Sequence, residues 1–122
     1  MVKNSSPDNL ITQIIDALED VKGEDICVMD LRDIENTVCQ YFIICSGSSN
    51  TQVSALAGMV QKKVSKALKE KPLQAEGLEN SEWVLLDYVD VVVHIFQRHI
   101  RDHYDIESLW GDAKVTEIAS NV

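Results

Sequence analysis

At 122 residues the chain is long enough to be one domain that buries a core without disulfides or metals. A hydrophobic fraction of 45% and a charged fraction of 25% are ordinary for a globular protein. Carboxylates outnumber lysine and arginine 20 to 11, for a net charge of −9, which argues against gripping a phosphate backbone and favours a basic partner.

Leu10, Ile11, Ile14, Ile15, Leu18 and Val21 recur at helical spacing. Residues 7–22 are therefore predicted to form an amphipathic helix, started by Ser6 and Pro7 and stopped by Gly23. Residues 25–31 read as a strand with Ile26, Val28 and Asp30 on one face and Cys27, Met29 and Leu31 on the other. Residues 32–39 are polar and predicted as a loop. Tyr41-Phe42-Ile43-Ile44-Cys45 is apolar on both faces, as befits a strand in the middle of a sheet. Ser46-Gly47-Ser48-Ser49 breaks that strand. A second helix follows, with Val53, Leu56, Ala57, Val60, Val64, Ala67 and Leu68 on one stripe; Ser49 to Gln52 matches a capping box at its start, and Pro72 lies past its end.

Lys62, Lys63, Lys66, Lys69 and Lys71 concentrate basic charge here, which by itself reads as a solvated helix face. Residues 73–76 suggest a short edge strand and Gly77 a turn. Trp83-Val84-Leu85-Leu86-Asp87 and Val91-Val92-Val93-His94-Ile95-Phe96 are predicted as adjacent strands joined at Tyr88-Val89-Asp90. A last helix is predicted over residues 99–110. The resulting order, α-β-β-α-β-β-β-α, is that of a single α/β domain over residues 1–110 with a mixed sheet flanked by helices. A crossover unit built on the Phe42 strand is expected to be right-handed. The tail, residues 111–122, is expected to be loosely held.

Cys27, Cys39 and Cys45 are odd in number and form no CxxC pair, which suits a reducing compartment. The first residues have neither the apolar core of a secretory signal nor the Arg-rich character of a transit peptide. No apolar run reaches membrane-spanning length, so a cytoplasmic setting is expected.

Chemistry-bearing motifs are sparse. The Ser46–Ser49 turn sits between a strand and a helix start, where backbone N–H groups can receive a phosphate, but it lacks the Gly-Lys-Ser/Thr ending of a Walker loop. A nucleotidyltransferase would also need metal-binding carboxylates about ten residues on, and Ala57-Gly58-Met59-Val60-Gln61 has none. The turn therefore reads as a helix cap. Asp87 and Asp90 flank a tight turn, where Asp is favoured for its own hydrogen bonding. His99 and His103 are four apart with His94 upstream, but HExxH is absent. No cofactor or metal is expected. What stands out is a surplus of large apolar side chains, Trp83, Phe96, Tyr104, Ile106, Leu109 and Trp110, with no nucleophile or metal site beside them. Such a surplus points to a protein-gripping surface, the alternative being that these side chains fill one core, which is the expectation for most of the strand residues.

Asp25-Ile26, Tyr41 to Ser49, Glu76-Gly77, Trp83 to Asp87, Asp90 to Phe96, Arg101, Tyr104 and Leu109-Trp110, in that order, resemble the Iojap or ribosomal silencing factor family. The resemblance runs over residues 10–110. It implies an α/β fold related to nucleotidyltransferases but without their catalytic carboxylates. It also implies a translational repressor that binds a basic ribosomal protein of the L14 type on the subunit-joining face of the large ribosomal subunit and sterically blocks the small one. The absence of a transit peptide favours a bacterial rather than an organellar member.

On this reading the chain is not an enzyme and has little direct contact with nucleic acid. The candidate partner-binding residues are Trp83, Leu85, Asp87, His94, Phe96, Tyr104, Ile106 and Leu109, and a homodimer is expected when the chain is free. Two alternatives are a divergent nucleotidyltransferase or small metal-dependent enzyme using Asp87, Asp90 and the histidines, and a homodimeric scaffold with no ribosomal partner.

Overall fold

Ser6 opens the first helix, α1 (Pro7–Asp20): its hydroxyl accepts the Asn9 N–H, and proline at the first position has no N–H to leave unsatisfied. The computed structural model describes residues 6–37 and 39–118, so residues 1–5 and 119–122 of the predicted domain and tail lie outside the described residues. α1 buries Leu10, Ile14 and Leu18 of the predicted stripe together with Ala17, while Ile11, Ile15 and Val21 are half-buried at its edges. Gly23 follows because the chain passes close to the next layer, where a Cβ would collide with the Cys45 sulfur.

Strand β1 (Glu24–Asp30) carries a bulge near its start, with Asp25 at φ 48, and pairs antiparallel with β2 (Tyr41–Gly47). Every residue of β2 is buried, as its two-sided apolar pattern predicts. Helix α2 (Asn50–Leu68) is capped by Ser49, whose hydroxyl accepts the Gln52 N–H. The Gln52 side chain reaches one residue past the cap, accepting from the Ser48 N–H at 2.6 Å, and its amide donates to the carbonyls of Val21 and Lys22. It thus ties the end of α1 to the start of α2.

The short β3 (Gln74–Glu76) pairs antiparallel with β4 (Trp83–Asp87), which pairs antiparallel with β5 (Val91–Gln97). Gly77 in the β3–β4 connection has φ 84, and a Cβ there would strike the Trp83 carbonyl. The sheet order is β3-β4-β5-β2-β1-β6, with β2 and β5 parallel. α2 therefore carries the chain from β2 across to the β3 edge, and β4 brings it back beside β5. This is the expected α/β class: one mixed six-stranded sheet flanked by helices.

Two expectations are corrected. The predicted last helix is broken into α3 (Arg98–Tyr104) and α4 (Ile106–Leu109) at Asp105, which adopts φ 45. Asp tolerates that left-handed conformation, and its carboxylate accepts the Ser108 hydroxyl at 2.6 Å. The tail is not loose throughout, because Lys114–Glu117 forms β6, paired antiparallel with β1. Its side chains are all exposed, so periodicity gave no burial signal.

The sheet has two unequal sides. α1 and α2 cover one, where Leu18, Ile43, Val53, Leu56, Val60, Leu86, Val93 and Ile95 are fully buried. At about 1.5–3 kcal/mol per buried large aliphatic side chain, this layer supplies most of the hydrophobic stabilisation. The other side has only the short α3 and α4 and nearby loops to cover Met29, Phe42, Ile44, Val92 and Phe96. Among the described residues no helix is long and apolar enough to cross a membrane.

Candidate partner-binding face

Strand alternation sends Trp83, Leu85 and Asp87 of β4, Val92, His94 and Phe96 of β5, and Phe42 and Ile44 of β2 to the thinly covered side. Register then sets neighbours. Trp83 lies opposite Phe96 and Leu85 opposite His94, while β2 places Ile44 on the other flank of His94. The Trp83 and Phe96 rings stack with centroids 4.8 Å apart, Tyr104 of α3 packs 5.0 Å from Trp83, and Phe42 meets His94 edge-on at 4.7 Å. The result is one continuous aromatic cluster.

His94 sits at its centre, only 5% exposed. The Trp83 indole N–H donates to His94 Nδ1 at 3.1 Å, which makes Nδ1 the unprotonated nitrogen and leaves Nε2 carrying the proton. That Nε2 is buried and has no hydrogen-bond partner among the described residues. Burial among rings pushes the imidazole pKa down to about 4, so it is neutral at physiological pH. A neutral, tryptophan-bonded histidine is a packing group, and His99 and His103 lie apart from it, exposed on α3.

The eight candidate residues divide by exposure. Tyr104 is 51% and Leu109 75% exposed, while Trp83, Leu85 and Asp87 are half-buried. Phe96, His94 and Ile106 are buried, so they back the face and do not present it. Asp87 lies four strand residues from Trp83, roughly 13 Å along β4. It is a turn residue there, its carboxylate accepting the Val89 N–H at 2.8 Å. The Asp90 carbonyl receives the N–H groups of Gln40 and Tyr41. Among the described residues no group of three His, Cys, Asp or Glu side chains converges as a metal site would require. In the Ser46–Ser49 turn the Ser48 N–H and hydroxyl both donate to Gln52 Oε1, and the Ser49 hydroxyl accepts the Gln52 N–H as the helix cap.

Two residues that build this face, Trp110 of the apolar surplus and Arg101 of the ordered motifs, are not among the candidate partner-binding residues. Trp110 is half-buried and packs edge-on against Phe42, 5.7 Å between centroids. Arg101 is the clasp. Its guanidinium donates to the Asp25 carbonyl at 2.7 Å and the Ser46 hydroxyl at 2.8 Å, and pairs through two bonds with Glu107. One side chain thereby fastens α3 and α4 to β1 and β2. An arginine on a short polar helix is the only local sign of this, and its partners lie up to 76 residues away in sequence.

Beside the face, a groove of about 810 Å³ runs between α3, α4, β1 and β6, lined by Asp25, Asp102, Asp105, Glu107 and Glu117 among others. Its two arginines are already engaged, Arg98 with Glu24 and Asp25, and Arg101 with Glu107. The rim of the face is therefore acidic. The three cysteines are buried free thiols, and burial raises Cys27 and Cys39 to about 11 and Cys45 to about 12, which makes them packing groups and not nucleophiles.

Comparison with known proteins adds to this geometry. The family described as "Ribosomal silencing factor during starvation" matches residues 3–122. The chain is 47% identical over 100 residues to a ribosomal silencing factor of Chromobacterium violaceum, covering 82% of this chain and 80% of the relative. It is 38% identical to that of Bacillus subtilis, covering 84% and 85%. Chloroplast proteins named Iojap match as well. A crystal structure of a Chromobacterium violaceum protein superposes with a TM-score of 0.82 at 40% identity, covering 96% of this chain and 97% of that one.

Proposed function

The chain belongs to the ribosomal silencing factor family, and from that premise we propose that it represses translation by occupying the subunit-joining face of the large ribosomal subunit. Its anchor is the face of Trp83, Leu85, Tyr104 and Leu109, backed by His94, Phe96 and Ile106. Its partner is a basic ribosomal protein of the L14 type. Repression is steric: the bound domain takes the space the small subunit needs, and no catalysis is involved. The observation that carries this reading is the exposure of Tyr104, packed on Trp83 at the mouth of an aromatic cluster edged by carboxylates, together with that of Leu109 on the neighbouring α4. An apolar centre with a charged rim is the anatomy of a specific protein interface. The acidic rim selects a basic partner and speeds its approach.

The site acts in the cytoplasm, where ribosomes join. When free, the chain masks the same face by two-fold self-association, so that dimer and ribosome compete for it. Sucrose-gradient sedimentation tests the central claim. Purified protein should co-sediment with isolated large subunits and deplete assembled ribosomes when the small subunits are added. Unchanged assembled ribosomes at saturating protein would refute it. Light scattering tests the masking, which a protein monomeric at high concentration would exclude.

A further inference from the structure

On α2, Thr51, Ala55, Gly58, Lys62 and Lys66 are all exposed and fall on one narrow stripe at helical spacing, and Lys69, also exposed, caps the helix just past Leu68 in a left-handed conformation, φ 58. The stripe is flat at its start. Gly58 has open space around it, although glycine in a helix interior costs about 1 kcal/mol relative to alanine and no packing demands it. Its second half is purely basic. Every described arginine, and Lys63 and Lys114, holds an ion pair. Lys62, Lys66, Lys69 and Lys71 hold none among the described residues, in a chain with nearly twice as many carboxylates as cations. Lys63 shows the contrast, because one position round the helix it takes both Asp16 and Asp20. The one carboxylate within the segment, Glu70, has a buried oxygen and acts electrostatically on Tyr88, so it is turned inward. Favourable interaction with the helix C-terminus accounts for Lys66 and Lys69 only, since Lys62 stands nearly two turns back from Leu68.

We propose that Lys62, Lys66 and Lys69, extended by Lys71, grip an RNA phosphate backbone on the large subunit beside the protein anchor. This rests on the ribosome-binding reading above and adds a second point of attachment to it. From Lys62 and Lys66 on the helix to Lys69 at its C-cap the backbone advances roughly 10 Å along the axis at 1.5 Å per residue, the reach of about three successive phosphates of one strand. The small residues before them let a backbone lie close to the helix. Net acidity disfavours RNA for the molecule as a whole, but the fold segregates its charge: the stripe lies on the helical layer, and the aromatic face with its acidic rim on the other side of the sheet. Glu70, two residues past α2, acts electrostatically on Tyr88 of the β4–β5 turn, and the Leu73 N–H further on reaches the Asp87 carbonyl. The two surfaces can thus meet RNA and protein at an angle.

The test is equilibrium binding to isolated large subunits over a series of salt concentrations, for the natural chain and a Lys62→Gln, Lys66→Gln, Lys69→Gln variant. These exposed positions leave folding intact, which melting temperature checks. The variant should bind on the order of tenfold more weakly at low salt. Its log–log salt slope should be shallower by roughly 2 to 3, at about 0.7–0.9 for each phosphate that is no longer neutralised. Binding to the isolated ribosomal protein should not change. Equal affinity and slope for both chains would overturn the proposal while leaving the anchor standing. Absence of large-subunit binding by the natural chain would instead remove the anchor reading. Lysine-dependent binding to phosphatidylglycerol vesicles, with no change in subunit binding, would overturn RNA as the occupant in favour of a membrane.

Discussion

Mild acid is expected to destabilise this protein through one residue, His94. Its folded pKa is near 4 because burial among the rings of Phe42, Trp83 and Phe96 disfavours the charged form, whereas an unperturbed histidine titrates near 6.5. Between those values the unfolded chain takes up a proton that the folded chain refuses, so the unfolded state gains with falling pH. Stability is complete above about pH 6.5 and is lost progressively down to about pH 4. At pH 5 the two pKa values give a loss of about 2 kcal/mol relative to pH 7.5, or about 5–10 °C in Tm for a domain of this size. Asp30, held down to about 2 by the hydrogen bonds from Arg32, stays charged through this window. Thermal melts from pH 7.5 to 5 measure the effect, with His94→Leu as control. That variant loses the acceptor for the Trp83 indole and is less stable at neutral pH, but its Tm should vary much less with pH. Parallel pH profiles for the two proteins would refute a buried neutral His94.

Leu109→Asp changes a side chain that is 75% exposed, so it should leave Tm within about 2 °C while weakening large-subunit binding tenfold or more, read by co-sedimentation. Val89 occupies a γ-turn at φ 75, closed by the Asp90 N–H on the Tyr88 carbonyl, a conformation a β-branched residue adopts only under strain. Val89→Gly should therefore raise stability by about 1 kcal/mol in urea unfolding, strain relief outweighing the flexibility of glycine in the unfolded chain. Arg101→Met removes the clasp and leaves Glu107 without its partner. It should cost about 2–3 kcal/mol and raise amide exchange selectively in α3, α4 and β6.

Local pattern was enough for much of the fold. The 3.6-residue period of Leu10, Ile14 and Leu18, and of Val53, Leu56 and Val60, is the burial stripe of α1 and α2. Period-two alternation groups Trp83 with Leu85 on one face of β4 and His94 with Phe96 on one face of β5, and the β4–β5 register puts those two faces on the same side of the sheet. The ordered motifs also carried the family resemblance, and composition carried the acidity.

Which of those side chains a partner can reach depended on distant segments. β2 supplies Phe42 and Ile44 against His94 by pairing with β5, a strand some fifty residues away, and that contact buries the histidine. The break at Asp105, the pairing of β6 with β1 and the reach of Arg101 to Asp25 likewise rest on long-range contacts. Periodicity reports which face of an element is apolar because that follows from backbone geometry alone. It says nothing of which neighbour covers the face, since coverage is settled by competition among distant segments for the same buried surface. Sequence thus named the apolar side chains, and the tertiary structure left Tyr104 and Leu109 exposed and sealed Phe96 within.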